Sequence, residues 1–160
     1  MKEETRKRAL EHIPYGLYVV GSADEHTVMT IVANWAMQVS FSPSLVAIAI
    51  EEDSRIRELI ERSGYFALNM LPAGKTDLAR NYLKPRESEP GEKLDRSVKM
   101  AKHGMPFLHE AVASLECRVV NGYPSGDHRL FVGEVVDAAV RQATRGEVLT
   151  LRETGWRYQR

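Results

Sequence analysis

The sequence has 160 residues, 43% hydrophobic and 28% charged, with 22 Lys plus Arg balancing 22 Asp plus Glu. That length supports one domain over 1–160 with its own core, and zero net charge excludes nucleic acid as the main partner, since no bulk positive field is present. The single cysteine, Cys117, excludes an intrachain disulfide, a structural zinc site and a thiolate-held iron–sulfur cluster.

The N-terminal residues read as a short amphipathic helix around Ala9 and Leu10, stopped by Pro14, which cannot extend a helical ladder. Residues 16–22 read as a strand, and 23–26 as a hairpin connection. Residues 27–41 are rich in β-branched and aromatic side chains. They read as one long strand, or as two with a bend near Ala33 and Asn34. Pro43 ends that stretch, and the apolar run 45–50 suits a strand buried on both faces. Asp53 and Ser54 look like a helix cap. Ile56, Leu59 and Ile60 follow at helical spacing, and Gly64 is the stop.

Residues 65–71 read as another strand and 76–83 as a short helix. Residues 84–102 are mostly charged, with Pro85, Pro90 and Gly91, and read as an exposed excursion. From 111 to 123 the pattern has period two: Ala113, Leu115, Cys117 and Val119 point one way, and Ser114, Glu116 and Arg118 the other. Residues 124–127 are a turn signal. A second long strand follows over 130–140, with Gly133 allowing a bulge or a close backbone approach. Short strands near 148–151 and 156–158 would close the sheet. About six or seven strands with two or three helices and short connections favour an antiparallel barrel over a doubly wound sheet. No run approaches the roughly 20 apolar residues that span a bilayer. The mixed-charge start lacks a secretory signal, so the cytoplasm is the expected compartment.

Several motifs fail on inspection. Gly74-Lys75-Thr76 has the tail of a phosphate-binding loop, but Asn69 stands where its first glycine belongs. His109-Glu110 opens a zinc-protease motif that Ala113 breaks, and no metal ligand set is expected. No dinucleotide-binding glycine fingerprint occurs. Ser125, Asp127 and His128 are too close in sequence for hydrolytic triad geometry.

Two constellations remain. Asn34, Gln38 and Ser40 are evenly spaced and would share one face of a regular strand. Amide and hydroxyl groups on an apolar face suit a flat heteroaromatic ligand; a bulge at Asn34 and a strand end at Ser40 are the simpler account. Asp53, Ser54 and Arg55 at a helix start could hold a phosphate through backbone N–H groups, a hydroxyl and a guanidinium. Plain capping with a solvated Arg55 is the other account.

The ordered set of these pieces resembles the flavin reductase-like, FMN-binding split-barrel family, in its flavoredoxin and ferric-reductase-like branch. The matching pieces are Tyr15 to Val20, Ala33-Asn34-Trp35, Gln38-Val39-Ser40 through Pro43, Leu45-Val46-Ala47 and Asp53-Ser54. They continue with Ser63-Gly64, Leu115 to Val120, and Gly126-Asp127-His128 leading into Phe131 to Val136. The resemblance implies a mainly β chain with a few helices, forming a six-stranded antiparallel split barrel, as a homodimer with FMN near the interface. It implies that Ala33, Asn34, Trp35, Gln38, Val39 and Ser40 line the flavin ring, and that Asp53, Ser54 and Arg55 face its phosphate. His128 would sit where a nicotinamide approaches, as the catalytic candidate.

The implied activity is reduction of flavin by NADH or NADPH, with electrons passed to a flavin, a ferric chelate or a protein acceptor. A flavoredoxin-type FMN carrier without its own NAD(P)H turnover is the alternative. Two positions depart from the family pattern. Ile56 replaces a second hydroxyl of the phosphate segment, and Pro43-Ser44 replaces a double proline. Trp35, Val119, Val132 and Val136 are candidates for the dimer interface.

Overall fold

The computed structural model describes residues 2–90, 97–141 and 147–157. In chain order the elements are α1 (Glu3–Leu10), β1 (Tyr18–Ala23), β2 (Val28–Ala33), β3 (Ala36–Phe41), β4 (Ser44–Glu51), α2 (Arg55–Ser63), β5 (Tyr65–Met70), α3 (Thr76–Arg80), β6 (Arg86–Ser88), β7 (Val98–Met100), β8 (Pro106–Leu108), β9 (Ala113–Ser125), β10 (His128–Val140) and α4 (Leu151–Thr154). The chain is mainly β. An eight-stranded antiparallel sheet runs β3-β4-β10-β9-β5-β1-β2-β6, and β7 and β8 form a separate hairpin. The expectation of six strands is therefore too low. Two of the additional strands, β6 and β7, are short ones cut from the charged segment 84–102, which carries little β signal of its own.

Local chemistry accounts for the joints. Asp24 closes the β1–β2 hairpin by accepting the N–H groups of His26 and Thr27 at 3.0 and 2.9 Å, an Asx turn. Asn34 and Trp35 interrupt the stretch 27–41, giving two strands with a bend, and the Trp35 carbonyl accepts the Ala49 N–H at 3.0 Å. α2 starts on Ser54, whose Oγ accepts the Arg57 N–H, and stops on Gly64 in the left-handed region at φ 74°. Its buried face is Ile56, Leu59 and Ile60.

That face explains the sheet's shape. β2 and β4 lie near opposite ends of the strand order, yet α2 packs against both, and also against β1 and β5. One cluster joins α2 to Val20, Met29, Ile48, Phe66, Cys117 and Phe131 from six strands. The sheet therefore curls around the helix, as burial of a continuous apolar face requires. The β9–β10 register shifts at Gly133, where Val120 of β9 is left without a partner in β10. A Cβ there would lie 2.6 Å from the Phe66 ring and 2.7 Å from Cys117 Cβ, so the close approach needs glycine.

The described residues of the segment 84–102 are mostly exposed, as expected, but the segment also carries two short strands, β6 and β7. β6 pairs with β2, while the β7–β8 hairpin buries Val98, Met105, Phe107 and Leu108; residues 91–96 lie outside the described set. Long-range polar anchors hold it. Fully buried Glu116 accepts the His103 N–H at 3.0 Å and the Met105 N–H at 3.1 Å, and its Oε2 lies 2.8 Å from His103 Nδ1. Asn69 donates to the Val19 and Pro106 carbonyls and accepts from the Leu108 N–H and the Ser114 hydroxyl. Ser114 and Glu116 of the β9 alternation are thus buried with their hydrogen bonds satisfied, while Arg118 turns out to Glu134.

Two further boundaries shift. α3 is α-helical only to Arg80; residues 81–83 continue in tighter i→i−3 bonds, from the Asn81, Tyr82 and Leu83 N–H groups to the carbonyls of Leu78, Ala79 and Arg80, and the Tyr82 carbonyl accepts the Val32 N–H at 2.9 Å. The strand expected over 148–151 is reduced to isolated bridges from Val148 to Pro72 and Thr150 to Gly16. Thr150 and Glu153 form a capping box that starts α4. Trp156 is in no strand, and Tyr158 lies outside the described residues. Among the described residues, no helix is long and apolar enough to cross a membrane.

Candidate active site

The gap between β2 and β4, closed by the start of α2, holds a cavity of about 340 Å³. Ala33 and Asn34 line it from the end of β2, Glu51 from the end of β4, Ser54 and Ile56 from α2, and His128 from the start of β10. Trp156 and Arg157 close it from the C-terminal side, where a second hollow of about 470 Å³ adjoins it beside Tyr15 and Arg152.

Each polar group is placed by backbone. Asn34 is only 6% exposed, and its Nδ2 has no hydrogen-bond partner among the described residues. A buried amide donor without an acceptor costs about 1–3 kcal/mol, and this one lines a cavity. Ser54 Oγ donates to the Glu51 carbonyl at 2.7 Å while capping α2. The N–H groups of the first helical turn have no acceptor within the helix.

His128 opens β10 opposite Glu51, directly after a turn in which Gly126 takes φ 67°. Its Nδ1 lies 2.6 Å from Asp127 Oδ1, and its ring meets Trp35 at 4.6 Å between centroids. Trp35 in turn meets Tyr15 at 6.4 Å. The Glu52 N–H donates to the Asp127 carbonyl at 2.9 Å, which fastens this turn to the β4–α2 link. Arg129 grips Glu52 through a two-pronged contact at 2.8 and 3.2 Å and also reaches Glu61 at 3.1 Å. The Arg129 hydrogen bond holds the Glu52 carboxyl below the usual carboxylate range.

Sequence reasoning and structure agree only in part on this site. The structure brings Ala33, Asn34, Ser54 and His128 to one cavity, with Trp35 packed behind His128. Arg55 is turned away to Glu87, and Asp53 is exposed on the turn before the cap. Gln38, Val39 and Ser40 lie on β3 and do not line the cavity; Gln38 borders a different hollow with Tyr18 and Val135. Asn34, Gln38 and Ser40 do not share a regular strand face, because Asn34 precedes β3 and the register slips between Gln38 and Ser40. Gln38 Nε2 donates to the Ser40 carbonyl across that irregularity at 3.1 Å.

Glu51 and Arg157 were missed. Glu51, the first charge after the run 45–50, was a readable signal. Arg157 reaches the cavity only because the C-terminal segment folds back, which no local pattern encodes. Among the described residues, no cluster of His, Cys, Asp and Glu could hold a metal ion.

Comparisons with known proteins point one way. Residues 10–158 match the family profile described as flavin reductase like domain. The NADH-dependent FMN reductase AsuE2 of Streptomyces nodosus subsp. asukaensis is 31% identical over 159 residues, covering 92% of this chain and 84% of that protein. A ferric-chelate reductase (NAD(P)H) of Archaeoglobus fulgidus is 33% identical over 144 residues, covering 89% and 84%. Among solved structures, the NADH:FAD oxidoreductase SgcE6 of Streptomyces globisporus C-1027 superposes with a TM-score of 0.76 at 29% identity, covering 93% of this chain and 90% of that one.

Proposed function

This chain belongs to the flavin reductase-like domain family, and we propose that it is an NAD(P)H-dependent FMN reductase acting through the cavity between β2, β4 and α2. The observation that carries this reading is the buried, unpartnered Nδ2 of Asn34, set in the cavity that also contains His128 and the start of α2. An isoalloxazine edge offers carbonyl and ring-nitrogen acceptors for that donor, so the residues present fit FMN. When bound, FMN supplies the chemistry of accepting hydride from a nicotinamide and passing electrons onward.

The chain's own residues bind and orient. Ala33, Asn34 and Trp35 form the ring side of the site. Ser54 and the first-turn N–H groups of α2 form the phosphate side, where a helix start favours an anion. His128, with Nδ1 engaged by Asp127, stands at the cavity wall as the group that positions the nicotinamide or steadies charge on the reduced ring. We read 1–160 as a single domain of this family, working in the cytoplasm where NAD(P)H turns over.

Homodimerisation is part of the reading. β3 is an edge strand that exposes Met37, Val39 and Phe41, the last at 89%. Such an apolar edge calls for a cover. A second copy seated there gives Gln38, Val39 and Ser40 their route to a flavin at the interface. Trp35, one of the interface candidates, packs on His128 and stays partly exposed. A monomeric mass by sedimentation at micromolar concentration with FMN present overturns the dimer.

The test of function is an anaerobic absorbance spectrum of the purified protein with FMN, before and after NADH. A yellow protein bleached by NADH is the expected result. A yellow protein inert to both nicotinamides reassigns it to electron carriage, and failure to bind FMN overturns both readings.

A further inference from the structure

Arg55 is the first residue of α2, and its position is set by the Ser54 cap. Its guanidinium does not enter the cavity. It meets Glu87 through two parallel contacts, Nη1 to Oε2 at 2.6 Å and Nη2 to Oε1 at 2.7 Å. Glu87 is itself fixed in place. It is the central residue of β6 and pairs in register with Met29 of β2. The chain entering β6 runs beside the cavity, since Leu83 lines it and the Tyr82 carbonyl holds the Val32 N–H. A carboxylate anchored on the sheet edge therefore occupies the cation that stands at the helix start.

We propose that Glu87 is a specificity-determining residue. By competing for Arg55, it lowers the preference of this site for a phosphorylated flavin over an unphosphorylated one and keeps the flavin exchangeable. The proposal rests on the reading that the flavin phosphate faces the start of α2. The helix start is not the only sign of a ligand there: Asn34, in the same cavity as Ser54, is buried with an unpartnered donor. A phosphate at Ser54 and the first-turn N–H groups attracts the same guanidinium that Glu87 holds, and a fork of this geometry serves one anion well at a time. Arg55 is exposed over most of its side chain and Glu87 over a third, so the competition is screened and its effect on affinity is modest.

The experiment titrates apo protein with FMN and with riboflavin, following quenching of flavin fluorescence, so no turnover is needed. Wild type, Glu87→Gln, Arg55→Gln and the double variant are compared. Glu87→Gln is expected to raise the ratio of FMN to riboflavin affinity about three- to fivefold, the size of one screened ion pair. Arg55→Gln lowers the ratio, and in the double variant the gain disappears. Glu87→Lys, which repels Arg55, moves the ratio in the same direction as Glu87→Gln. A ratio unchanged or lowered in Glu87→Gln, with the ratio still dependent on Arg55, overturns the proposal alone. A ratio near one in wild type that neither Arg55→Gln nor Ser54→Ala alters overturns the placement of the phosphate, and the proposal with it.

Discussion

The imidazole of His128 is held on two sides at once: Asp127 Oδ1 lies 2.6 Å from its Nδ1, and the Trp35 ring lies 4.6 Å from its own. The imidazole is 9% exposed while the carboxylate beside it is 74% exposed, so the pair joins a packed ring to a solvated anion. That arrangement fixes which nitrogen faces the carboxylate and leaves the ring against the cavity wall.

If His128 positions the nicotinamide, His128→Ala slows reduction of the bound flavin by NADH or NADPH. FMN affinity then stays within about threefold, a difference under about 1 kcal/mol. Anaerobic stopped-flow reduction with parallel FMN titration measures both. A lowered midpoint potential with an unchanged rate would instead show that it stabilises the reduced ring. If rate and potential both stay put and only thermal stability drops, the residue is structural.

Gly133→Ala tests the close approach at Gly133. The added methyl would overlap the Phe66 ring and Cys117 Cβ, both buried in the central cluster. Both neighbours are fully buried, so overpacking should cost about 1–3 kcal/mol. Urea denaturation with tryptophan fluorescence reads this directly. A variant as stable as wild type would show that β9 and β10 separate easily at this point.

What the sequence disclosed was whatever rests on neighbouring residues. The Ser54 cap, the 56–59–60 spacing and the Gly64 stop define α2 without help from the rest of the chain, and Gly133 signals its own close approach. The bend at Asn34 was visible as polar residues breaking a β-rich run. Hidden features depend on partners distant in sequence. The β7–β8 hairpin looks like a charged loop until Glu116 and Asn69 receive its N–H groups. Arg55 reads as a phosphate ligand from its place at the helix start, and only β6, distant in sequence, brings Glu87 beside it as a competing partner. The even spacing of Asn34, Gln38 and Ser40 misled because period two holds only in an unbroken ladder, and β3 slips its register within that stretch.

Cys117 should be inert in the folded protein. It is fully buried, and burial pushes its thiol up to about 12, with the charge of Glu116 adding in the same direction. Thiolate is the reactive form, so alkylation at pH 8 should wait on unfolding and follow the unfolding rate. The sign for stability follows from the raised value. The folded state keeps its proton where the unfolded chain, with an ordinary thiol, loses it. The contribution is complete below pH 9 and is lost as the pH rises from about 9 towards about 12. Burial also raises the phenols of Tyr18 and Tyr82, which act in the same direction above pH 10. Labelling of native protein as fast as labelling in denaturant would refute the buried placement.

Asn34 separates binding from stability. Its Nδ2 is buried in the cavity without a partner among the described residues, so the ligand-free protein carries a desolvated donor that none of them satisfies. Asn34→Ala removes that donor with a small loss of packing. A buried group left unpaired costs about 1–3 kcal/mol, so the ligand-free variant should melt no lower than wild type, and higher if the donor dominates. With FMN the order should reverse. Wild type gains a hydrogen bond that the variant cannot make, and one neutral bond of about 1–1.5 kcal/mol corresponds to roughly tenfold in FMN affinity. Thermal melts of both proteins with and without FMN, alongside an FMN titration, measure the two effects separately. A variant that is destabilised without ligand and binds FMN as tightly as wild type would make Asn34 a structural bend residue.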